Sequence, residues 1–148
     1  MFEALLEGVV NLSSPHSLML LAAGSAVGLL FGAIPGLGGT TAVALLIPLT
    51  FGMEPWQAII LMGGVMAATS TGGSVSAILL NTPGIAPNAA TTFDGYPLAQ
   101  QGKAGMAIGA GATASAIGGV IGIISLVAVI PIMKAIVLLF TPPEFFML

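Results

Sequence analysis

The sequence predicts an all-α integral membrane protein whose transmembrane helices are broken or re-entrant at residues 35–41 and 69–74. Composition is the first observation: 57% of the 148 residues are hydrophobic and only 5% are charged, a balance that no ordinary soluble domain shows. The second is the length of apolar sequence, because a helix needs about 20 apolar residues to cross a bilayer and several runs approach or exceed that. The third is where those runs are interrupted. Pro35, Gly36, Leu37, Gly38, Gly39, Thr40 and Thr41 follow one apolar stretch directly, and Thr69, Ser70, Thr71, Gly72, Gly73 and Ser74 sit inside another. Glycine lowers helix propensity by roughly 1 kcal/mol and proline by about 3 kcal/mol, so both clusters are expected to free backbone N–H and C=O groups. In lipid such groups are costly unless satisfied, so a break persists where it is buried in protein or lines a wet cavity. Two breaks in succession point to a transport site.

Taken in order, residues 1–16 form a short amphipathic lead-in, where Asn11, Ser13, Ser14 and Pro15 end any first turn and cap the next helix. The first span is expected over 17–34, with Gly24, Gly28 and Gly32 spaced so that a neighbouring helix can approach closely. Residues 42–51 are too short to cross alone at about 1.5 Å per residue, and read as a tilted helix or one arm of a re-entrant hairpin. Gly52, Glu54 and Pro55 close that arm, and Trp56 stands where an interfacial aromatic anchor belongs. Residues 57–80 can span, interrupted at 69–74, and a polar connector follows over 81–103. Residues 104–130 are the longest apolar run, ended by Pro131, with Gly105, Gly109, Gly118 and Gly122 at packing spacing. A short apolar piece over 132–140 and a Pro-Pro-Glu step precede Phe145, where a new apolar segment begins. This pattern is expected of a fragment or of one piece of a longer transporter.

Charge removes several function classes. The charged residues are Glu3, Glu7, Glu54, Asp94, Glu144, Lys103 and Lys134, with one histidine, His16, and no arginine. Without a basic patch there is nothing to meet nucleic-acid phosphates. Without cysteine there are no disulfides, thiolate ligands or thiol catalysis. Glu3 and Glu7 precede the first apolar run with no Lys or Arg, so the basic region of a cleaved signal peptide is missing and the first helix is expected to be retained.

Gly109, Gly111 and Ala114 match a dinucleotide-binding spacing, but they lie inside a spanning run with no strand before it. Gly95, Gly102 and Lys103 have the wrong spacing for a phosphate loop, and Ala104 replaces its hydroxyl. No cofactor is expected. His16 stands alone and no intramembrane carboxylate pair exists, so neither a metal centre nor acid–base catalysis is expected. Ser70, Ser74 and Ser76 lack a histidine or lysine partner in the apolar segments, which argues against an intramembrane enzyme.

The connector carries a family resemblance. Asn81-Thr82-Pro83-Gly84, the run from Ala89 to Ala99 containing Phe93-Asp94-Gly95-Tyr96-Pro97, and Gln101-Gly102-Lys103-Ala104-Gly105 closely resemble the large membrane subunit of the tripartite tricarboxylate transporters. Gly32-Ala33-Ile34-Pro35-Gly36-Leu37-Gly38-Gly39 is similar to that family's N-terminal signature. The resemblance covers nearly the whole chain. It implies that residues 1–148 are the N-terminal membrane segment, and first repeat, of a longer multi-pass permease of the bacterial inner membrane that works with a small membrane subunit and a periplasmic substrate-binding protein. It also implies import of citrate-like or other carboxylates with a coupling cation, Na⁺ or H⁺, and a second proline-glycine break in a later repeat.

The residues accommodate that chemistry. A carboxylate seeks several N–H donors in a place with little water, and a helix N-terminus supplies them with a favourable partial charge. Pro35, Gly36, Gly38, Gly39, Thr40 and Thr41 are expected to expose such donors, as are Ser70, Thr71, Gly72, Gly73 and Ser74. Carbonyls near Ile34 and Thr69 are candidate cation ligands. Asn81, Thr82, Pro83 and Gly84 read equally as a helix stop and as substrate contacts. Asp94 before Gly95 reads first as a turn, with an ion or substrate contact as the second reading. The alternative to a permease is a non-transporting packing or assembly module in which every glycine serves helix contact.

Overall fold

The computed structural model of the protein describes residues 8–137. The chain divides into two units, Met1–Gly111 and Ala112–Leu148. Residues 8–12 are helical, and then come α1 (Pro15–Ala33), α2 (Gly38–Thr50), α3 (Pro55–Leu80), a 3-10 turn (Ala86–Asn88), α4 (Ala89–Gln100) and α5 (Ala104–Val137). No strand occurs among the described residues. Among the described residues, three stretches are long and apolar enough to cross a membrane, Pro15–Ala33, Pro55–Leu80 and Ala104–Ile130. The protein is an all-α membrane protein.

α1 starts where the sequence caps it. The Ser14 hydroxyl accepts the Ser17 N–H at 3.2 Å, and Pro15 occupies a first-turn position where its missing N–H costs nothing. Ser17 is fully buried and donates to the Asn11 carbonyl at 2.7 Å, tying the 8–12 turn to the helix. The glycine ladder then meets α3. A Cβ on Gly24 would overlap the Leu61 carbonyl oxygen, one on Gly28 that of Val65, and one on Gly32 that of Thr69. From the other side, Gly64 and Gly72 bring α3 against the Leu21 and Leu29 carbonyls. Contacts rise in number along both helices together, so α1 and α3 run parallel with their backbones nearly touching. Lipid supplies no hydrophobic drive between helices, and close approach of this kind gains dispersion contact instead.

α2 returns antiparallel, since Gly39 lies against Met66 and Thr69 while Thr40 and Val43 share a groove with Met62 and Ile59. At the start of α3, the Glu54 side chain accepts the Gln57 N–H and Gln57 Oε1 accepts the Glu54 N–H at 3.0 Å, a reciprocal cap. Gln57 Nε2 donates to His16 Nε2 at 2.9 Å, and the His16 ring meets Trp56 edge to face at 6.1 Å.

Four expectations are corrected. The break at 69–74 does not exist: α3 is one 26-residue helix through it. Its hydroxyls bond back to their own helix, Thr69 to the Val65 carbonyl, Ser74 to Ser70 and Ser76 to Gly73, which keeps polar side chains satisfied without opening the backbone. The first break is shorter than 35–41, covering 34–37, because Gly38, Gly39, Thr40 and Thr41 already form the first turn of α2. The connector is substantially helical, and Asp94 lies within α4 instead of a turn. That helix stops in a Schellman arrangement: the Lys103 N–H reaches the Leu98 carbonyl at 2.9 Å, the Gly102 N–H that of Ala99 at 2.9 Å, and Gly102 takes φ +75°. Finally, α5 passes through Pro131 to Val137, since one missing N–H in a long membrane helix is absorbed locally. Among the described residues nothing lies within 4 Å of a Cβ position on Gly105, Gly109, Gly118 or Gly122. Glu3, Glu7, Glu144 and the 141–148 segment lie outside the described residues.

Candidate functional site

Two chain reversals meet on one face of α3. The first is the turn between α1 and α2. Ile34 leaves the helical region at φ −88°, ψ 112°, the Leu37 N–H closes on the Ile34 carbonyl at 3.2 Å, and Gly36 and Gly38 adopt φ +89° and +60°. Only glycine takes such angles freely. The second reversal follows α3. Asn81 stops the helix in the left-handed region at φ 54°, ψ 27°, which asparagine tolerates better than most residues, and Pro83 prevents continuation. From there the chain dips back alongside α3, so that the Gly84 N–H approaches the Gly73 carbonyl at 3.4 Å and Asn88 Nδ2 donates to the Ser70 carbonyl at 2.9 Å. At about 1.5 Å per residue, this return penetrates roughly 15 Å from Leu80 to the level of Ser70. α4 then climbs again, with Gly95 against Ile78.

Glycines make the meeting possible. A Cβ on Gly84 would overlap the Gly32 carbonyl oxygen and lie 2.6 Å from the Gly73 Cα, while one on Gly73 would overlap Asn88 Nδ2. Gly38 faces Ile85 Cγ2 at 3.5 Å, and Gly39 faces both Met66 Sδ and Thr69 Oγ1 at 3.0 Å. Three backbones therefore converge, from the end of α1, the middle of α3 and the tip of the returning connector.

The electrostatics come from backbone and amide groups. α1 ends and α2 begins at the same turn, so carbonyl and N–H termini of opposite partial charge lie side by side. α2 has no side-chain cap. Among the described residues, no acceptor takes the N–H groups of Gly38, Gly39 or Thr40. Pro35, Gly36 and Leu37 are exposed, and nothing stands within 4 Å of a Cβ position on Gly36. A chain end of this kind can receive an anion at the N–H side and a cation at the carbonyl side. No group of His, Asp and Glu that could hold a metal occurs among the described residues.

Of the sequence-predicted site residues, the structure gathers Gly38, Gly39, Gly73, Ser74 and Gly84 at this convergence, with Ser70 contributing its carbonyl. Pro35 and Gly36 form the adjoining turn, and Thr40 lines an apolar groove of about 490 Å³ with Val43, Ile59 and Met66. Gly72 serves α1 packing instead. Asn81 and Thr82 stand exposed at the far end of α3, where the Thr82 hydroxyl donates to the Leu80 carbonyl at 3.1 Å. Asp94 is exposed on α4. Sequence reasoning missed Gly32, Ile85 and Asn88. Gly32 was visible as one rung of a packing ladder and as the start of the signature at 32–39, neither of which marks it as a site residue. Asn88 follows Pro87 in a polar stretch and carries no signal of burial, yet it is 4% exposed.

No solved structure matches the chain. A curated relative from Agrobacterium vitis, named an uncharacterized 52.8 kDa protein in the TAR-I ttuC' 3' region, is 35% identical over 135 residues, covering 91% of this chain and 27% of its own length. The chain thus spans about a quarter of that relative. Residues 18–148, which include both reversals and the whole convergence on α3, match the Tripartite tricarboxylate transporter TctA family, and the chain belongs to that family of transporter membrane subunits.

Proposed function

We propose that residues 1–148 are the N-terminal membrane segment, and first repeat, of a multi-pass permease in a bacterial inner membrane. It imports tricarboxylates or related carboxylates with a Na⁺ or H⁺ gradient, working with a small membrane subunit and a periplasmic substrate-binding protein. The observation that carries the reading is the α1–α2 turn, where the free N–H groups of Gly38, Gly39 and Thr40 stand beside the carbonyl end of α1. A carboxylate gains from the former and a coupling cation from the latter. Membership of the tripartite tricarboxylate transporter TctA family supports the assignment. Beside this turn, Gly73 of α3 and Gly84 of the connector meet the Gly32 carbonyl at the end of α1, while Ser70 and Ser74 hold Asn88.

A packing or assembly module accounts for Gly24, Gly28 and Gly32 but leaves the exposed turn at 35–37 without a role. The discriminating experiment is uptake of labelled citrate by the full-length permease, reconstituted with its small subunit and binding protein. Saturable uptake that follows an imposed Na⁺ or H⁺ gradient and needs all three components supports the proposal. Absence of gradient-driven uptake of citrate and of other di- and tricarboxylates overturns it.

A further inference from the structure

The returning connector is held to α3 in an unusual way. Its contacts are the Gly84 N–H to the Gly73 carbonyl at 3.4 Å, Asn88 Nδ2 to the Ser70 carbonyl at 2.9 Å, and the Ser74 hydroxyl to Asn88 Oδ1 at 3.4 Å. Each α3 group involved has another partner within its own helix. The single proton of the Ser74 hydroxyl has the Ser70 carbonyl at 3.0 Å as its alternative, nearer acceptor, and the Ser76 hydroxyl bonds the Gly73 carbonyl at 3.0 Å. Backbone bonding in the continuous α3 engages the same carbonyls. If the connector lifts away, α3 therefore loses no obligatory hydrogen bond, and the cost falls on the connector's own N–H and amide. Two of the three contacts are long for hydrogen bonds, which leaves Asn88 Nδ2 as the strong one.

What lies beneath is met backbone to backbone. The surfaces in contact are Gly32, Gly73 and Gly84, which carry no side chains to interdigitate, so withdrawal of the tip breaks no packed apolar cluster at that point. Ile85 rests at 3.5 Å from the Gly38 Cβ position, at the first residue of α2. Movement of the connector thus uncovers the start of α2 directly.

The geometry points to residues 81–88 as a lid over the first residue of α2, Gly38, beside the open α1–α2 turn, latched shut by Asn88, so that Asn88 is a positioning residue controlling access to the Gly38 end of the proposed carboxylate site. This inference rests on the permease reading for what the lid covers, and on hydrogen bonding alone for how it is held. Asn81 and Gly102, both with positive φ, bound the connector and α4. Its polar character follows as well, since a segment that leaves its seat must meet water without penalty.

The test is amide hydrogen exchange on the full-length permease in nanodiscs, comparing the parent with Asn88→Ala, Asn88→Asp and Ser74→Ala. Asn88→Ala removes both side-chain contacts, and Asn88→Asp removes the Nδ2 donor while keeping an acceptor for Ser74. Loss of one well-formed buried hydrogen bond corresponds to an opening equilibrium about tenfold more favourable. Exchange across 81–88 is expected to rise about tenfold in both Asn88 variants and only about twofold in Ser74→Ala, in keeping with its longer bond. Exchange across 69–80 is expected to stay at the parent level, because α3 keeps its own bonds. Unchanged exchange across 81–88 overturns the latch. Equal deprotection of 69–80 overturns it too, because Asn88 would then be holding up the helix instead of a lid. Citrate uptake is scored separately, so failure of the carboxylate reading leaves the exchange result interpretable.

Discussion

Gly32 of α1 and Thr69 of α3 meet backbone to backbone, so closely that a Cβ on Gly32 would overlap the Thr69 carbonyl oxygen with the Thr69 Cα only 2.9 Å away. The partner atom is rigid main chain, and a side chain added there cannot be accommodated by a rotamer change. Gly32→Ala is expected to push α1 from α3 and cost about 1–3 kcal/mol, the range for overpacking a filled interior. Gly36→Ala has open space around it and is strained only through its positive φ, so it should cost less. Thermal unfolding of both variants in one detergent checks the order. A smaller loss for Gly32→Ala than for Gly36→Ala would contradict the packing argument.

This pair also shows what the sequence could and could not convey. The ladder Gly24, Gly28 and Gly32 was legible because four-residue spacing of small residues has one main use in lipid. The reversal at Pro35 was legible because proline and positive-φ glycines leave the chain few alternatives. The same logic failed at Thr69 to Ser74, where propensities measured in water overstate the penalty. There Gly72 lets α1 approach, Gly73 admits Asn88, and the hydroxyls bond carbonyls one turn back. A glycine and hydroxyl cluster in an apolar run therefore reads as a break or as a docking face, and only the partner decides. The partner is the 81–88 return, whose descent depends on long-range contact with α3 and leaves no periodic trace in local sequence.

Asn81 separates a structural role from a binding role by a simple substitution. At φ 54° and ψ 27° it occupies a conformation that glycine adopts freely and that costs other L-residues roughly 1–2 kcal/mol. Asn81→Gly should retain stability and citrate uptake, whereas Asn81→Val should lose about 1–2 kcal/mol of stability. Loss of uptake in Asn81→Gly at normal membrane abundance would instead assign the amide to substrate.

The starts of α1 and α3 are joined by Gln57, whose Oε1 is committed to the Glu54 N–H and whose Nε2 therefore faces His16. Gln57→Ala removes the cap and the tie together and should cost about 1 kcal/mol, with His16→Ala costing less. In the double variant the two effects should fall short of additivity by about 0.5 kcal/mol, the signature of groups in contact. Strict additivity in a thermal-unfolding cycle would mean that the His16 contact contributes nothing.

The turn itself offers the most direct test of a carboxylate site. Gly38 combines φ +60° with a position at the first N–H groups of α2, so Gly38→Val both strains the backbone and crowds the donors. Uptake of citrate, normalised to permease in the membrane, is expected to fall at least about tenfold, as for loss of one charge-assisted hydrogen bond or more. Because the chain has no cysteine, a single Leu37→Cys can report on the same turn. Leu37 is 37% exposed, and its thiol should react with a small water-soluble maleimide and be slowed by saturating citrate. Thr71→Cys, on the continuous α3, should react without protection by citrate. Inertness at position 37 in an active transporter would place the turn in packed protein or lipid, and full uptake by Gly38→Val would remove the α2 N-terminus from the substrate path.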